Sequence, residues 1–445
     1  MTPSTAKKTD QPDKPATSSS HPLTLPLEDH AVEREPHSYE RWLIAKLLRM
    51  AGSPPIRFQL WNGEVVEPEQ GEARYTLTVA DPRALMQLVA NPNLAFGDLY
   101  SAGRLEVDQD LPGLMATLYR AIHQASERWP RWLEALWRNH SPRATGVDEA
   151  RDNIHHHYDL GNEFYRLWLD QAEMQYTCAY YEHPDLTLEQ AQLAKLEHVC
   201  RKLRLRPGQT VVEAGCGWGG LARYMARHHG VTVHAYNISR EQVAFARAEA
   251  ERQGLSDRIQ YIEDDYRTIH GQYDAFVSVG MLEHVGKDHY STLAALIRRT
   301  LKPDGLALLH SIGRNRPMLM NSWIEKRIFP GAYPPSIGEL VSICEDGHFS
   351  VLDVENLRLH YAQTLRHWLQ RFEAHQDTIR DLYDDHFSRA WRLYLAGSIA
   401  AFEVGSLQLF QVVFSHGDNN QLPQSRADLY QRSAAPEAGA WTTTT

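Results

Sequence analysis

The sequence predicts an α/β protein: a doubly wound parallel sheet covered by helices on both faces, with a smaller mixed α+β domain ahead of it. Three observations carry the prediction. From Gln209 onward, short apolar runs alternate with helical patterns. A glycine-rich stretch, Glu213 to Gly220, stands between the first of those runs and the helix after it. Ahead of Tyr119, runs of alternating polarity are mixed with helix-start signals instead of repeating as strand-helix units.

In chain order, residues 1–36 are polar and proline-rich, too poor in apolar groups to offset the entropy of ordering, and a flexible arm is expected. A small mixed domain is expected over residues 37–145. Within it Tyr39 to Met50 has the spacing of an amphipathic helix, and Ile56 to Trp61, Gly63 to Val66 and Ala73 to Val79 read as short strands between turn signals. Asp81 before Pro82 is a helix start leading into Leu85 to Ala90. In the larger domain, residues 146–415, strands are expected at Thr210 to Glu213, Val231 to Tyr236, Ile259 to Ile262, Ala275 to Val279 and Leu306 to His310. Ligands of such a sheet lie at the carboxyl ends of its strands. Residues 416–445 turn polar and read as a loose tail.

Composition narrows the function. With 42% hydrophobic residues and 10% aromatics in 445, the chain can fill real cores. A net charge of -10 argues against broad nucleic-acid binding, which needs a clustered positive surface. The nearest approach to a membrane span, Ala396 to Phe414, is interrupted by Glu403, Gln408 and Gln411. Cys178, Cys200, Cys216 and Cys344 are scattered, with no C-x-x-C pair, so neither a zinc knuckle nor a disulfide framework is indicated. Met1 to Pro22 lacks the apolar core of a secretory signal, and a cytoplasmic location is expected.

Tyr119 to Arg143 combines Trp129, Trp132 and Trp137 with Arg120, Arg128, Arg131, Arg138 and Arg143. Such a helix either lies in a lipid headgroup layer or packs its indoles against its own protein with the guanidiniums in solvent; both readings stay open. The run His155-His156-His157 does not read as a metal site, because adjacent side chains point in different directions on a helix or a strand.

Glu213-Ala-Gly-Cys-Gly-Trp-Gly-Gly220 follows a strand and opens a helix. Its G-x-G-x-G spacing, headed by an acidic residue, is typical of class I methyltransferases, which hold S-adenosylmethionine without a pyrophosphate to cradle. Members of that class often end the second strand on an acidic residue that holds the ribose. Here that strand ends Ala235-Tyr236-Asn237-Ile238-Ser239, so the task falls to Asn237 or Gln242. After the third strand come Glu263, Asp264, Asp265 and Tyr266, where a carboxylate can accept from the adenine amino group and a ring can flank the base; the alternative is a solvated acidic loop.

Five segments together carry a resemblance: Asn153 to Tyr165, Met174 to Tyr180, Glu213 to Leu221, Val279 to Gly286 and Leu309 to Gly313. In order and spacing they resemble the cyclopropane-fatty-acyl-phospholipid synthases. Similarity continues through Phe329-Pro-Gly331, Glu355-Asn356 with Tyr361, and Leu407 to Gln411. Phe96 to Tyr100 and Gly103 resemble the extra N-terminal domain of the bacterial phospholipid enzymes, which the mycolic acid cyclopropane synthases lack. The resemblance implies a class I, Rossmann-like methyltransferase domain. Its bicarbonate site falls on Cys178, Glu283, His310 and Tyr361 with the backbone of Ile312. Its S-adenosylmethionine contacts fall on Tyr176, Thr177, Gly215, Gly217, Asn237, Ile238, Gln242, Asp265, Tyr266 and Val279, and it implies no metal. Thr177 stands where serine is common, and Glu403 where arginine is frequent, which leaves the pairing around Glu403 in doubt.

Those residues suit methylation of an alkene. An isolated double bond is a weak nucleophile, so catalysis must hold it in line with a sulfonium methyl in a dry pocket. The cation that results has protons acidic enough for bicarbonate; loss of one from the transferred methyl closes a cyclopropane, whereas water would trap the cation as an alcohol. The resemblance thus implies an unsaturated phospholipid substrate, peripheral docking on the inner face of a membrane, and a homodimer. Rival readings are a methyl- or methylene-branched product at the same site, a catalytically inactive lipid-binding scaffold, and a nicotinamide-dependent oxidoreductase, the last disfavoured by the glycine spacing.

Overall fold

Asp81 fixes the start of a helix in the small domain by two separate means. Its Oδ1 accepts the amide of Ala84 at 2.9 Å, capping a helix that has proline at its first position, and both carboxylate oxygens are held by the Arg104 guanidinium at 2.8 and 2.9 Å. In the computed structural model, which describes residues 35–108, 110–126 and 160–430, this part of the chain holds four helices and a four-stranded sheet. The helices are α1 (Ser38–Met50), α2 (Pro82–Ala90), α3 (Pro92–Ser101) and α4 (Leu111–Ser126). The strands are β1 (Ile56–Gln59), β2 (Val65–Val66), β3 (Tyr75–Val79) and β4 (Leu105–Val107), in the order β2-β1-β3-β4 with β1 and β3 parallel. All the elements expected here before Tyr119 are present. The tryptophan-rich run beyond Ser126, the three histidines and the N-terminal arm lie outside the described residues.

The larger sheet has seven strands: β5 (Thr210–Ala214), β6 (Thr232–Asn237), β7 (Ile259–Glu263), β8 (Tyr273–Val279), β9 (Leu301–Gly313), β10 (Phe349–Asn356) and β11 (Gln408–His416). Their order is β10-β11-β9-β8-β5-β6-β7. Strands β5 to β9 run parallel, as the alternating pattern requires. The expectation of a wholly parallel sheet is corrected by β11, which inserts between β9 and β10 and is antiparallel to both. This strand is buried over nearly its whole length, so it lacks the polar alternation that marks a one-sided strand. Order reverses between β5 and β8, where loops leave in opposite directions and open a crevice.

One apolar cluster runs from the small domain into the larger one, while two others cover the faces of the seven-stranded sheet. Helix α5 (Asp385–Glu403), of which Ala396 to Phe402 had formed part of the interrupted apolar run, packs on α3, on α4 and on helix α6 (Arg358–Ala374). Its Trp391 meets Phe164 at 5.0 Å between ring centres, within a cluster that includes Trp168 and Trp368. These rings share one buried apolar cluster with Leu85, Leu99 and Leu114 of the small domain. Polar contacts follow the same seam: Arg389 donates to the Tyr100 carbonyl at 2.7 Å, and Arg327 grips Asp98 with two bonds of 3.0 Å. Glu403 pairs with Arg366, which supplies its local partner within the chain. After His416, where a loose tail was expected, Ala427–Tyr430 forms a helical turn with Leu429 buried. Among the described residues no helix is long and apolar enough to cross a membrane, and all four cysteines are buried and free.

Candidate active site

The glycine loop leaves β5 at the sheet's switch point. Gly215 has φ +83 and Gly217 φ +53, conformations that L side chains seldom adopt. A Cβ at Gly215 would lie 2.9 Å from Cβ of Met281, whereas one at Gly217 would meet no protein atom within 4 Å. Gly217 therefore borders open space, as a residue does against which a cofactor lies. At the end of β6 the Asn237 amide donates to Gln242 Oε1 at 2.8 Å and to the Gly217 carbonyl at 3.1 Å, so the two residues expected to replace the missing ribose carboxylate are in direct contact. Buried Nε2 of Gln242 and the buried hydroxyl of Tyr266 have no protein partner. Ile238 follows, half-buried. After β7, Asp265 caps a short helical turn and is held by Arg267 at 2.7 and 2.9 Å, while the Arg267 guanidinium lies 5.3 Å from the Tyr266 ring centre. Open space beside glycine and unpartnered polar groups around it fit a nucleoside-type cofactor such as S-adenosylmethionine.

Val279 ends β8 and pairs in register with His310 on β9, which links this crevice to a second space behind it. There a cavity of about 640 Å³ is lined by Tyr176, Thr177, Cys178, Glu283, His310, Ile312 and Tyr361 together with an apolar wall. All residues assigned by resemblance to the bicarbonate site thus face one cavity, together with Tyr176 and Thr177 of the cofactor set; the remaining cofactor residues stand at the strand ends outside it. The wall includes Leu319, Ile324, Phe329, Leu365, Leu407 and Leu409, a lining that holds hydrocarbon and excludes water.

Within the cavity Glu283 and His310 are fixed by one bond each. Oε1 of Glu283 accepts the Ile312 amide at 2.5 Å, and its Oε2, buried, has no protein partner. Burial pushes its carboxyl up to about 7. His310 is 2% exposed, and burial, with the positive field of Lys195 and Lys202, drives its pKa well below the ordinary value, so the imidazole is neutral. Gln411 on β11 meets its Nδ1 at 3.1 Å. With the Gln411 amide donating, the ring proton sits on Nε2, a buried atom with no protein partner. Cys178, wholly buried, has its thiol pushed up by desolvation and packs as a neutral wall. A carboxyl that ionises near neutrality and a neutral N–H donor, both short of a partner, fit a small oxyanion.

Sequence reasoning passed over two residues that hold this site. Gln411 was visible as a polar residue inside an apolar strand but was placed only within a motif. Lys195, fully buried on helix α7 (Leu188–Lys202), donates to Thr177 Oγ1 at 2.9 Å and to Gln175 Oε1 at 2.5 Å, and burial lowers its pKa to about 8. Its signal was a lysine four residues from Ala191 and Val199 on the buried face of that helix. Glu213 at the head of the glycine loop is likewise buried, with its carboxyl pushed up to about 8 by desolvation.

Comparison with known proteins identifies the family. The family model "Mycolic acid cyclopropane synthetase" matches residues 146–412, and a model for a domain of unknown function matches residues 43–128. The chain is 37% identical over 360 residues to the cyclopropane-fatty-acyl-phospholipid synthase of Escherichia coli K12, covering 80% of this chain and 92% of that one. It is 36% identical over 395 residues to a probable fatty acid methyltransferase of Pseudomonas putida, covering 85% of this chain and 96% of that one. The solved structure of mycolic acid cyclopropane synthase CmaA1 complexed with SAH and CTAB superposes with a TM-score of 0.57 at 29% identity, covering 59% of this chain and 97% of that one. The chain belongs to the mycolic acid cyclopropane synthetase family and is an S-adenosylmethionine-dependent methyltransferase.

Proposed function

We propose that this enzyme transfers a methylene group from S-adenosylmethionine to the cis double bond of an unsaturated acyl chain in phospholipid, forming a cyclopropane. The observation that carries the reading is the largely apolar cavity into which Glu283 Oε2 and His310 Nε2, both buried and without a protein partner, are brought together beside the cofactor crevice. When bound, S-adenosylmethionine supplies an electrophilic methyl and bicarbonate a weak base. The chain's own groups do the rest. The apolar wall excludes the water that would trap a cation. His310 Nε2–H and the Glu283 carboxyl, with Tyr361 and Cys178 closing the site, would hold bicarbonate, and Glu283, ionising at about 7, retains the proton released. Tyr176 and Thr177, of the residues assigned to the cofactor, line this cavity and would align the two reactants, the former held by its hydroxyl 2.9 Å from that of Tyr394.

We also infer that the enzyme docks on a membrane surface through the cavity's rim and acts as a homodimer, with residues 37–145 the lipid-facing part. Met50, Ile122 and Met318 line the cavity yet are 66%, 47% and 49% exposed, and exposed Lys46 and Arg120 lie close to them in sequence. Flotation with anionic liposomes checks docking; protein that stays at the bottom of the gradient at every composition rules it out. Mass spectrometry of lipids methylated from methyl-trideuterated S-adenosylmethionine checks the reaction. A product retaining two deuterons without an exocyclic double bond supports ring closure, two deuterons with that bond give a methylene branch instead, and three give a methyl-branched or hydroxylated chain.

A further inference from the structure

A second apolar cavity, of about 150 Å³, lies between α1, β1, β3, α2 and α4 on one side and Trp323, Leu393 and Gly397 on the other. It adjoins the catalytic cavity. Asn93, Tyr119, Ile122, Asn321, Ile324 and Gly397 line both. One of these shared residues, Ile122, belongs to the exposed rim, so the two spaces lie side by side near the surface: the larger reaches Cys178 and His310, the smaller the small domain between Ile56, Phe58, Leu77 and Leu88. The wall of the fork is built in place. Gly97 allows α3 to lie against the Trp323 ring, where a Cβ would come within 2.3 Å, and Arg327 ties the same segment to Asp98.

We propose that the smaller branch receives part of the second acyl chain of the phospholipid whose other chain is being methylated, so that the enzyme recognises a two-chain lipid. This rests on the reading given under Proposed function. The volumes decide between occupants. A cavity of about 150 Å³ holds benzene, so the smaller branch takes about six carbons, and on that scale the larger branch of about 640 Å³ takes roughly 25, enough for a whole reacting chain. The reacting chain does not need the smaller branch. A glycerol backbone at the fork would send its two chains in two directions, and the exposed amide of Asn93 stands there to donate to an ester carbonyl.

The test is a competition in mixed vesicles between a diacyl phospholipid and the lysophospholipid carrying the same unsaturated chain, read as the ratio of labelled products. The wild type is expected to favour the diacyl lipid. Leu118→Trp and Leu88→Phe, which fill the smaller branch without touching the catalytic cavity, are expected to cut that ratio by about tenfold or more. Because the ratio comes from one mixture, a partly unfolded preparation does not change it. An unchanged ratio overturns the proposal. So does a variant that binds S-adenosylmethionine but methylates neither lipid, since the single-chain substrate does not use the branch. Failure of the wild type to label either lipid would instead remove the function on which the proposal rests.

Discussion

The backbone amide of Ile312 donates to Oε1 of Glu283 across 2.5 Å, and this bond fixes a buried carboxylate with its other oxygen unpartnered in a largely apolar cavity. The carboxyl is raised to about 7 by desolvation. If the ionised form retains the proton of the reaction, the rate at saturating bicarbonate should rise with pH through about 7 and level off above it. Glu283→Gln should lower kcat by about 10²–10⁴-fold and remove that rise. Rate measurements from pH 6 to 9 at fixed bicarbonate check both; a variant that keeps the wild-type profile would assign the titration elsewhere.

Gly217→Ala should separate binding from folding. A left-handed alanine costs about 1 kcal/mol, which lowers Tm by only a few degrees. The added methyl points into the open space taken to be the cofactor's, so affinity for S-adenosylmethionine should fall by about tenfold or more. Calorimetric titration beside a thermal melt distinguishes the two effects.

Arg223 and Glu173 form a buried pair at 2.7 Å beneath the glycine loop, with Arg223 also donating to the Trp218 carbonyl. Arg223→Met should cost about 3–5 kcal/mol, because it strands a carboxylate in the core. The sign of its pH dependence is fixed. Burial already raises Glu173 above its ordinary value, and losing Arg223 raises it further, so the folded state binds the proton more tightly than the unfolded chain. The penalty is therefore fully felt above the raised pKa and shrinks as pH falls toward the ordinary carboxylate range. Melts of both proteins at pH 8 and pH 5 should show the gap narrowing at pH 5.

Gly97→Ala should destabilise the protein by about 1–3 kcal/mol, since the new Cβ would meet the Trp323 ring at 2.3 Å and force the segment away from α3. Asp98→Ala removes a partly exposed pair of the same contact and should cost no more than about 1 kcal/mol. Chemical denaturation of the two variants side by side checks the order.

Much of this was legible from local pattern. The Asp81-Pro82 helix start, the five parallel strands and the glycine loop each follow from two- to six-residue signals, and each appears where the sequence placed it. What stayed hidden depends on partners distant in the chain. Strand β11 has no alternation because both its faces are covered, so its apolar residues had been counted toward a near-span. Lys195 is a lysine like any other until Thr177 and Gln175 are seen to receive it. The resemblance assigns Asp265 to the cofactor and sets Glu403 where arginine is frequent, yet each carboxylate is paired with an arginine, Arg267 by neighbourhood and Arg366 through a fold contact.

Strand β11 also orders the birth of the enzyme. Its neighbours β9 and β10 both precede it in the chain, so a ribosome delivers every other strand of the sheet before the one that must slip between them. Until Gln408 to His416 emerge, His310 lacks Gln411 and the flanking strands expose unpaired backbone, the state most open to misassembly. Prematurely terminated chains would then be inactive and sticky, open to removal by proteases before they could consume cofactor.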